Sequence, residues 1–383
     1  MERIQLSQPS FTREEIAAAE RVLRSGRLVS GPEAVAFEEE LAAACGRRHA
    51  AVVSSGTAAL HLTLHCLWPE GSGQLLVPAF TFPATANVAA FLPARLTVCL
   101  CDVDPDSFCA PAGALERHLA ARVGPAVQVH QFGYPAPLPP QGQLVLSDAA
   151  CAIGAPGALQ GRAACLSFHP RKLLTTGEGG AVLSDDEALV AQVRALRSHG
   201  LVPQPGQQVL AEPTPGLNYR MPEVAAAIGR VQLRRLPQIL AVHAELALRY
   251  RERLAGQVGL QADAPGRVWQ TLAVVLPPGT DRAALRRALS EEGIETQIAS
   301  YGLHRLAAFA GAPLLREDGT VGPGVPPVAD ALHDRGLALP LHAGLRLADV
   351  DRVCEVLLRL LNRPPARLSG PRNEVEPCLE DKK

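Results

Sequence analysis

Short apolar runs alternate with helix-like stretches through the first half of the chain, and this alternation constrains the fold more than any other feature. The runs occur at Ala50–Val53, Leu75–Val77, Leu96–Cys101, Ala126–Val129, Leu144–Leu146, Ala163–Leu166 and Ala181–Leu183. Most are separated by helix-like segments at Thr57–Leu67, Phe82–Phe91, Ala112–Ala121 and Asp186–Ser198. Strands that alternate with helices indicate βα units. The pattern therefore predicts an α/β fold with a mostly parallel seven-stranded sheet, covered on both faces.

A different pattern follows residue 222. Pro222–Leu236 and Pro237–Leu254 read as two consecutive helices, because each begins with a proline suited to a first turn. Further segments follow at Val268–Leu276 (strand), Asp281–Glu292 (helix), Glu295–Ala299 (strand), Gly311–Pro327 (a Gly- and Pro-rich loop) and Leu347–Leu361 (helix). The sequence thus predicts a large α/β domain over residues 1–240 and a smaller α+β domain over residues 241–363. Residues 364–383 lack apolar periodicity, which predicts a disordered tail.

Charge and cysteine usage limit the partners and the compartment. The 37 basic and 38 acidic residues nearly cancel, which argues against nucleic acid or an anionic membrane surface as a partner. No apolar run approaches the roughly 20 residues that a membrane-spanning helix needs, and the N-terminus lacks the apolar core of a signal peptide. Nine cysteines without a Cys-x-x-Cys pair fit reduced thiols. We therefore expect a cytoplasmic protein.

Lysine is rare in this chain. Only three of the 37 basic residues are lysines, and two of these, Lys382 and Lys383, end the tail. Arginine stays protonated at ordinary pH, whereas lysine can lose its proton and attack a carbonyl carbon. Lys172 is therefore a candidate for amine chemistry, and a surface lysine kept by chance is the alternative.

Three predicted strand ends carry polar groups. Gly56 and Thr57 lie in a small-residue turn between a strand and a helix, where backbone N–H groups can bind an anion such as phosphate. Asp148 follows a buried strand, at the sheet edge where ligands of α/β proteins bind, although it could simply cap the next segment. Lys172 follows a third strand end, five residues after Ser167.

This set of groups matches the requirements of pyridoxal phosphate. The phosphate needs a helix start, the pyridine nitrogen needs a carboxylate, and the aldehyde needs a lysine with which to form a Schiff base. The turn before Ala58 is neither a Walker loop nor a G-x-G-x-x-G fingerprint, which lowers the odds for ATP and NAD.

Seven segments then carry a family resemblance. They are Ser55-Gly56-Thr57-Ala58-Ala59-Leu60, Pro78-Ala79-Phe80-Thr81-Phe82-Pro83-Ala84-Thr85-Ala86-Asn87, Asp102-Val103-Asp104, Ser147-Asp148-Ala149-Ala150, Ser167-Phe168-His169 with Lys172, Gly177-Glu178-Gly179-Gly180, and Gly216-Leu217-Asn218-Tyr219-Arg220-Met221. By their order and spacing, the chain resembles the fold-type-I pyridoxal-phosphate enzymes of the DegT/StrS type, the sugar aminotransferases. The resemblance runs from about Ser10 to Leu361.

The resemblance implies a role for each matched residue. Lys172 would form the Schiff base and move the proton, and Asp148 would pair with the ring nitrogen. The other implied cofactor contacts are a stacking ring from Phe82, phosphate contacts from Gly56, Thr57 and Ser167 with Ala58 beside them, and a phosphate contact from Asn218 of a neighbouring subunit. The last contact implies a homodimer with shared active sites.

Five further positions concern the cofactor hydroxyl and the substrate. Cys151 stands where the family usually has glutamine or histidine near the cofactor hydroxyl, which implies a weaker contact or an altered substrate. Four candidates for substrate binding are Arg220, Tyr301, His304 and His342, with structural roles as the alternative for each. No metal site is predicted, because only Cys354 and Cys378 follow the lysine, too few for the iron–sulfur cluster of some relatives.

The resemblance implies amino transfer from an amino acid, with glutamate as the expected donor. The expected acceptor is a nucleotide-linked 3- or 4-keto-6-deoxy sugar. Two alternatives remain open: the same chemistry on an aminocyclitol or other cyclic ketone, and a non-catalytic regulator that keeps the pyridoxal-phosphate fold.

Overall fold

A computed structural model describes residues 3–29, 31–140, 144–203, 210–211 and 214–362. In this part of the chain the α-helices are α1 (Arg13–Ser25), α2 (Pro32–Ala44), α3 (Gly56–Leu67), α4 (Ala84–Asn87), α5 (Ala112–Ala120), α6 (Glu187–Leu196), α7 (Glu223–Leu254), α8 (Arg282–Glu291), α9 (Pro327–Arg335) and α10 (Leu347–Leu361). Among these described helices, none has the length and hydropathy to cross a membrane. The predicted tail, residues 364–383, lies outside the described residues.

The strands of the described residues, in chain order, are β1 (His49–Val53), β2 (Ser72–Pro78), β3 (Phe80–Thr81), β4 (Arg95–Cys101), β5 (Ala126–Val129), β6 (Val145–Asp148), β7 (Ala163–Ser167), β8 (Gly180–Ser184), β9 (Val202–Pro203), β10 (Leu210–Ala211), β11 (Gly259–Leu260), β12 (Leu272–Val275), β13 (Gln297–Ile298), β14 (Tyr301–Gly302), β15 (Leu314–Leu315), β16 (Val321–Gly322) and β17 (Gly336–Leu339). Short 3₁₀ turns at Val88–Phe91, Gln131–Gly133, Pro156–Leu159 and Leu303–Arg305 complete the regular structure.

The large sheet contains all seven strands that the sequence predicts. Its order is β1-β8-β7-β6-β5-β2-β4-β15-β16. Neighbours from β7 to β4 run parallel, whereas β8 runs antiparallel to both of its neighbours. One face packs on α3 and α6, and the other packs on α2 and α7, so that both faces are buried. The predicted mostly parallel α/β sheet is confirmed.

Two local predictions are wrong. The segment Gly311–Pro327, predicted to be a loop, contains the hairpin β15–β16, which extends the sheet to nine strands. The two helices predicted to meet at Pro237 form the single helix α7, 32 residues long. A proline inside a helix costs about 3 kcal/mol. Leu233, Leu236 and Ile239 are buried on either side of Pro237, and this packing offsets the cost.

A second sheet, of order β11-β12-β17-β13, lies in the C-terminal part. Helices α8, α10 and the end of α7 share its apolar core. Residue 240, the predicted domain boundary, falls inside α7, which packs on α1 and α2 at one end and on α10 at the other. The division into domains at that residue therefore stays a proposal.

Candidate active site

The carboxyl ends of β1, β6 and β7 meet at one edge of the large sheet. Asp148 is the last residue of β6, and Ser167 is the last residue of β7. Helix α3 begins three residues after β1, directly against β7: a Cβ atom on Gly56 would lie 2.8 Å from the Cβ atom of Ser167. Glycine is therefore required at residue 56, and the predicted strand ends do come together.

The start of α3 offers free backbone donors. The Ser55 hydroxyl accepts a hydrogen bond from the Ala58 amide at 3.1 Å, while Ala58 itself is buried beneath the turn. Within the described residues, the amides of Gly56 and Thr57 have no hydrogen-bond acceptor. Two free N–H groups at the positive end of a helix can bind a phosphate beside Ser167.

Asp148 presents a buried carboxylate at the same edge and is only 6% exposed. Its Oδ2 accepts a hydrogen bond from the Thr85 hydroxyl at 2.8 Å, and its Oδ1 accepts one from the Ala150 amide at 3.2 Å. Burial raises the pKa of Asp148, whereas these two hydrogen bonds and the charge of Lys172 lower it. A buried carboxylate needs a cationic partner, which a protonated ring nitrogen would provide.

Lys172 lies in the loop after β7. Its backbone amide donates to the His169 carbonyl at 2.8 Å, and its side-chain Nζ donates to Cys151 Sγ at 3.2 Å. The ammonium group is close enough to Asp148 to lower the pKa of that carboxyl. The three predicted groups, the helix start, the acid and the amine, therefore share one site.

The contact between Cys151 and Lys172 predicts a chemical reaction in the cofactor-free protein. o-Phthalaldehyde condenses with a neighbouring thiol and primary amine to form a fluorescent isoindole. We expect this fluorescence with the cofactor-free protein, and we expect Cys151→Ser and Lys172→Met to reduce it to background. Added pyridoxal phosphate should suppress it as well, by occupying Lys172. Fluorescence emission of the protein after desalting is the measurement.

Cys66 provides the matched control for that reaction. It is half-buried, as Cys151 is, and burial raises the pKa of its thiol to about 12. A thiol in that state is a poor nucleophile, because the thiolate is the reactive form. Cys66→Ser should leave the fluorescence unchanged, whereas fluorescence that survives Cys151→Ser would contradict the assigned pair.

Phe82 lies at the mouth of the site with its ring largely in solvent, 62% exposed. The Tyr301 ring contacts it edge-on, with 6.0 Å between the ring centroids. Tyr301 is brought there by β14, which pairs with β3 so that Tyr301 lies opposite Thr81. The Phe82 carbonyl accepts a hydrogen bond from the Thr85 amide, which keeps this exposed ring close to the buried acid, where it can stack on a cofactor ring.

Asn218, Arg220 and His304 make other contacts within the described residues. Asn218 is exposed and pairs through its backbone with Ser198, whose hydroxyl accepts a hydrogen bond from Arg220 Nη1 at 3.1 Å. His304 is mostly buried, and its Nε2 lies 2.8 Å from an oxygen of Asp330. This arrangement favours a structural role for His304.

His342 is buried close to the loop of Lys172. Its Nδ1 accepts a hydrogen bond from the Gly344 amide at 3.2 Å. A cavity of about 20 Å³ has both His342 and Lys172 in its lining. Burial lowers the pKa of His342, which favours the neutral form. The contact of His342 with substrate stays a prediction.

Sequence reasoning missed Thr81 and Thr85. Both side chains are buried at the floor of the site, and Thr85 bonds directly to Asp148. A signal was present, because the two hydroxyl residues are four positions apart and flank Phe82 within an otherwise apolar segment. Such a spacing places both on one side of a turn and could have indicated a shared partner.

The fold and the site together define a class of protein. A buried acid, a lysine, an exposed aromatic ring and a helix start with two free amides fit the ring nitrogen, aldehyde, ring face and phosphate of pyridoxal phosphate. The protein is a pyridoxal-phosphate enzyme of fold type I.

Comparison with known proteins identifies the family. Residues 9–358 match the DegT/DnrJ/EryC1/StrS aminotransferase family, and the chain belongs to it. It is therefore a pyridoxal-phosphate-dependent aminotransferase. The structure of S. venezuelae DesV in complex with a ketimine intermediate is 29% identical, with a TM-score of 0.80 and coverage of 95% of this chain and 100% of DesV.

Two further structures share the fold at lower identity. The pyridoxal-phosphate form of Spr1654 from Streptococcus pneumoniae is 23% identical, with a TM-score of 0.81 and coverage of 94% of this chain and 98% of that one. Helicobacter pylori PseC, an aminotransferase involved in the biosynthesis of pseudoaminic acid, is 24% identical, with a TM-score of 0.81 and coverage of 94% and 99%.

Proposed function

We propose that this aminotransferase moves an amino group from glutamate to the ketone of a sugar, and that the sugar is a nucleotide-linked 3- or 4-keto-6-deoxy sugar. The observation that carries the proposal is the placement of Lys172 beside Asp148 and the start of α3 in a chain of this family. The resemblance of its motifs to those of sugar aminotransferases supports a sugar acceptor. The exposed position of Phe82 leaves the site open to a large acceptor.

Each of the site residues then has a defined task. The bound cofactor supplies an electron sink for the carbon that loses its proton. Lys172 Nζ holds the cofactor between half-reactions and moves a proton once it is released. Asp148 keeps the ring nitrogen protonated. The amides of Gly56 and Thr57, with the Ser167 hydroxyl, hold the phosphate.

Arg220 is a candidate for binding an anionic group of a substrate. Its Nη1 donates to Ser198, while its Nε is buried and has no hydrogen-bond partner among the described residues. A guanidinium with unused donors suits a carboxylate or a diphosphate, because it can bind either in a bidentate manner. Arg220 would therefore bind the glutamate carboxylate or the nucleotide diphosphate, next to Asn218.

Two half-reactions test this proposal separately. Glutamate added to the loaded enzyme should shift the cofactor absorbance from the lysine-bound form to the amine form and release 2-oxoglutarate. The amine form should then return to the starting spectrum with the correct ketone, chosen from nucleotide-linked 3- and 4-keto-6-deoxy sugars and an aminocyclitol ketone. Turnover by the aminocyclitol ketone alone would exclude the nucleotide sugar, and no spectral change with any amino donor would favour a regulator.

We also propose that the enzyme works in the cytoplasm as a homodimer in which Asn218 reaches the phosphate of the neighbouring subunit. Asn218 and its neighbour Leu217 are exposed, and the Phe91 side chain is 74% exposed. These side chains are therefore available for a contact with a neighbouring subunit. Eight described cysteines are unpaired, which fits a reducing compartment.

Mixed dimers test the shared site. Asn218→Asp places a negative charge beside the phosphate and should abolish most activity, as should Lys172→Ala. When the two inactive variants are co-expressed, subunit exchange should restore about one quarter of the sites, because one site of each mixed dimer is intact. Activity per mole of protein is the measurement. If Asn218 acted within its own subunit, the mixed dimers would remain inactive.

A further inference from the structure

Two buried threonines connect the floor of the site to its acid. Thr85 Oγ1 lies 2.8 Å from Asp148 Oδ2, and Thr81 Oγ1 lies 3.4 Å from Thr85 Oγ1. Both threonine side chains are about as buried as side chains can be, at 1% exposed. Thr81 closes β3 and Thr85 lies in the first turn of α4, so the row crosses from a strand through a helix to the end of β6.

The number of hydroxyl protons determines which group donates in each of these two hydrogen bonds. A carboxylate only accepts hydrogen bonds, so the single hydroxyl proton of Thr85 is donated to Asp148. The Thr85 oxygen then accepts, and Thr81 must be the donor in the second contact. The hydroxyl dipoles therefore all point toward the carboxylate, the orientation in which hydrogen bonds in a chain strengthen one another.

We propose that Thr81 and Thr85 form a hydrogen-bond relay that holds the Asp148 carboxylate in the orientation and charge state that a cationic ring nitrogen requires. Thr85 is then a positioning residue for transamination, and this assignment rests on the function proposed above. It acts through Asp148 and does not itself touch substrate.

The groups that face Asp148 explain why the relay is needed. Burial favours the neutral acid, and Cys165, the strand neighbour of Asp148 on β7, supplies no positive charge. The groups that oppose burial are the hydroxyl of Thr85, the amide of Ala150 and the ammonium of Lys172. Among these three, the Thr85 hydrogen bond lowers the pKa of Asp148 most.

During catalysis Lys172 is bonded to the cofactor and cannot act as a free ammonium group near Asp148. The Thr85 hydroxyl is therefore more important for the charge state of Asp148. Once Lys172 is joined to the cofactor, its charge is no longer that of a free ammonium group. The Thr85 hydroxyl and the Ala150 amide contact Asp148 independently of Lys172, and the Thr85 side chain is buried. A fixed hydroxyl donor keeps the acid oriented through both half-reactions.

Thr85→Val tests the relay, because valine keeps the shape of threonine and removes the hydroxyl. In the cofactor-free protein, infrared difference spectra against Asp148→Asn isolate the carboxyl band of Asp148. We expect the midpoint of its titration to rise by about one pH unit in Thr85→Val, the equivalent of about tenfold in the protonation equilibrium. Thr81→Val should raise the midpoint by a smaller amount. Thr85→Ser, which keeps a hydroxyl, should have the wild-type midpoint.

Thr63→Val is the matched control. Thr63 is equally buried on α3, and its hydroxyl lies 3.5 Å from Cys165 Sγ without touching Asp148. Its loss should leave the infrared midpoint unchanged. An equal shift in Thr63→Val and Thr85→Val, or an unshifted midpoint in a folded Thr85→Val, would overturn the relay. Because this readout needs neither cofactor nor turnover, it separates the relay from the proposed reaction.

Kinetics of the loaded enzyme supply the second readout. The acidic limb of the kcat/KM profile should move to higher pH by about one unit in Thr85→Val. Without the hydroxyl donor, the Asp148 carboxylate becomes protonated at a higher pH than in the wild-type enzyme. In the background of Asp148→Asn, Thr85→Val should cost little more, because the group through which it acts is already neutral. Multiplicative losses in the double variant would show that Thr85 acts independently of Asp148 and would overturn the proposal.

Discussion

Lys172→Ala is expected to abolish transamination, with a loss on the order of 10⁴-fold or more in kcat, because one group both attaches the cofactor and moves the proton. No other lysine lies within residues 3–362, so this part of the chain offers no second lysine amine to replace it. The purified variant should also lack the absorbance of the lysine-bound cofactor. Stopped-flow absorbance with glutamate and a steady-state assay with the ketone measure the two losses.

Lys172→Arg is the matched control for this variant. Arginine keeps the positive charge near Asp148 and the donor toward Cys151, but it stays protonated and does not form a Schiff base. We expect Lys172→Arg to be as inactive as Lys172→Ala. Substantial activity in either variant would remove the basis of the proposed function, whereas recovery of activity in Lys172→Ala by a small added amine would support it.

Asp148→Asn is expected to lower kcat by about 10²- to 10³-fold, the scale on which a buried charge pair matters when one partner is lost. The change preserves size and shape, but an amide offers a single acceptor oxygen, so that either the Thr85 hydroxyl or the Ala150 amide keeps its hydrogen bond. A neutral amide does not keep a proton on the ring nitrogen, and the electron sink is weakened. Single-turnover rates with glutamate measure the loss.

Asp186→Asn provides the comparison. Asp186 caps the start of α6 away from the sheet edge, and asparagine is an equally good cap. We expect wild-type kinetics for Asp186→Asn. A loss of less than about threefold in Asp148→Asn would contradict the assignment of Asp148 as the partner of the ring nitrogen.

Long strands of this fold could be predicted from the sequence, whereas very short ones could not. Strands such as β2 and β4 have seven residues each, long enough for an apolar run to stand out from its surroundings. The strands β15 and β16 have two residues each, which is too short for any periodicity, so the residue pattern there indicates only a loop. Pro237 was predicted to separate two helices because local propensity disfavours proline in a helix interior, and tertiary packing overrode it.

The predictability of the site has a related limit. Glycine, aspartate and lysine were identified by residue type at three strand ends, and those ends lie together because parallel strands share an edge. His304 and His342 were grouped with the substrate residues by resemblance alone. The structure places His304 against Asp330 and buries His342, and neither contact has a local signal in the chain.

By itself, the sequence determined which side chains of this enzyme are able to do chemistry and at which edge of the sheet they lie. Reactivity belongs to the residue type, and the alternation of strands and helices gives each strand end its position. Only the tertiary structure decided what each group touches: Cys151 beside Lys172, and Thr85 beneath Asp148, 63 residues away along the chain. Such contacts depend on how separate elements pack at distances of about 3 Å, and no local pattern of residues encodes that distance.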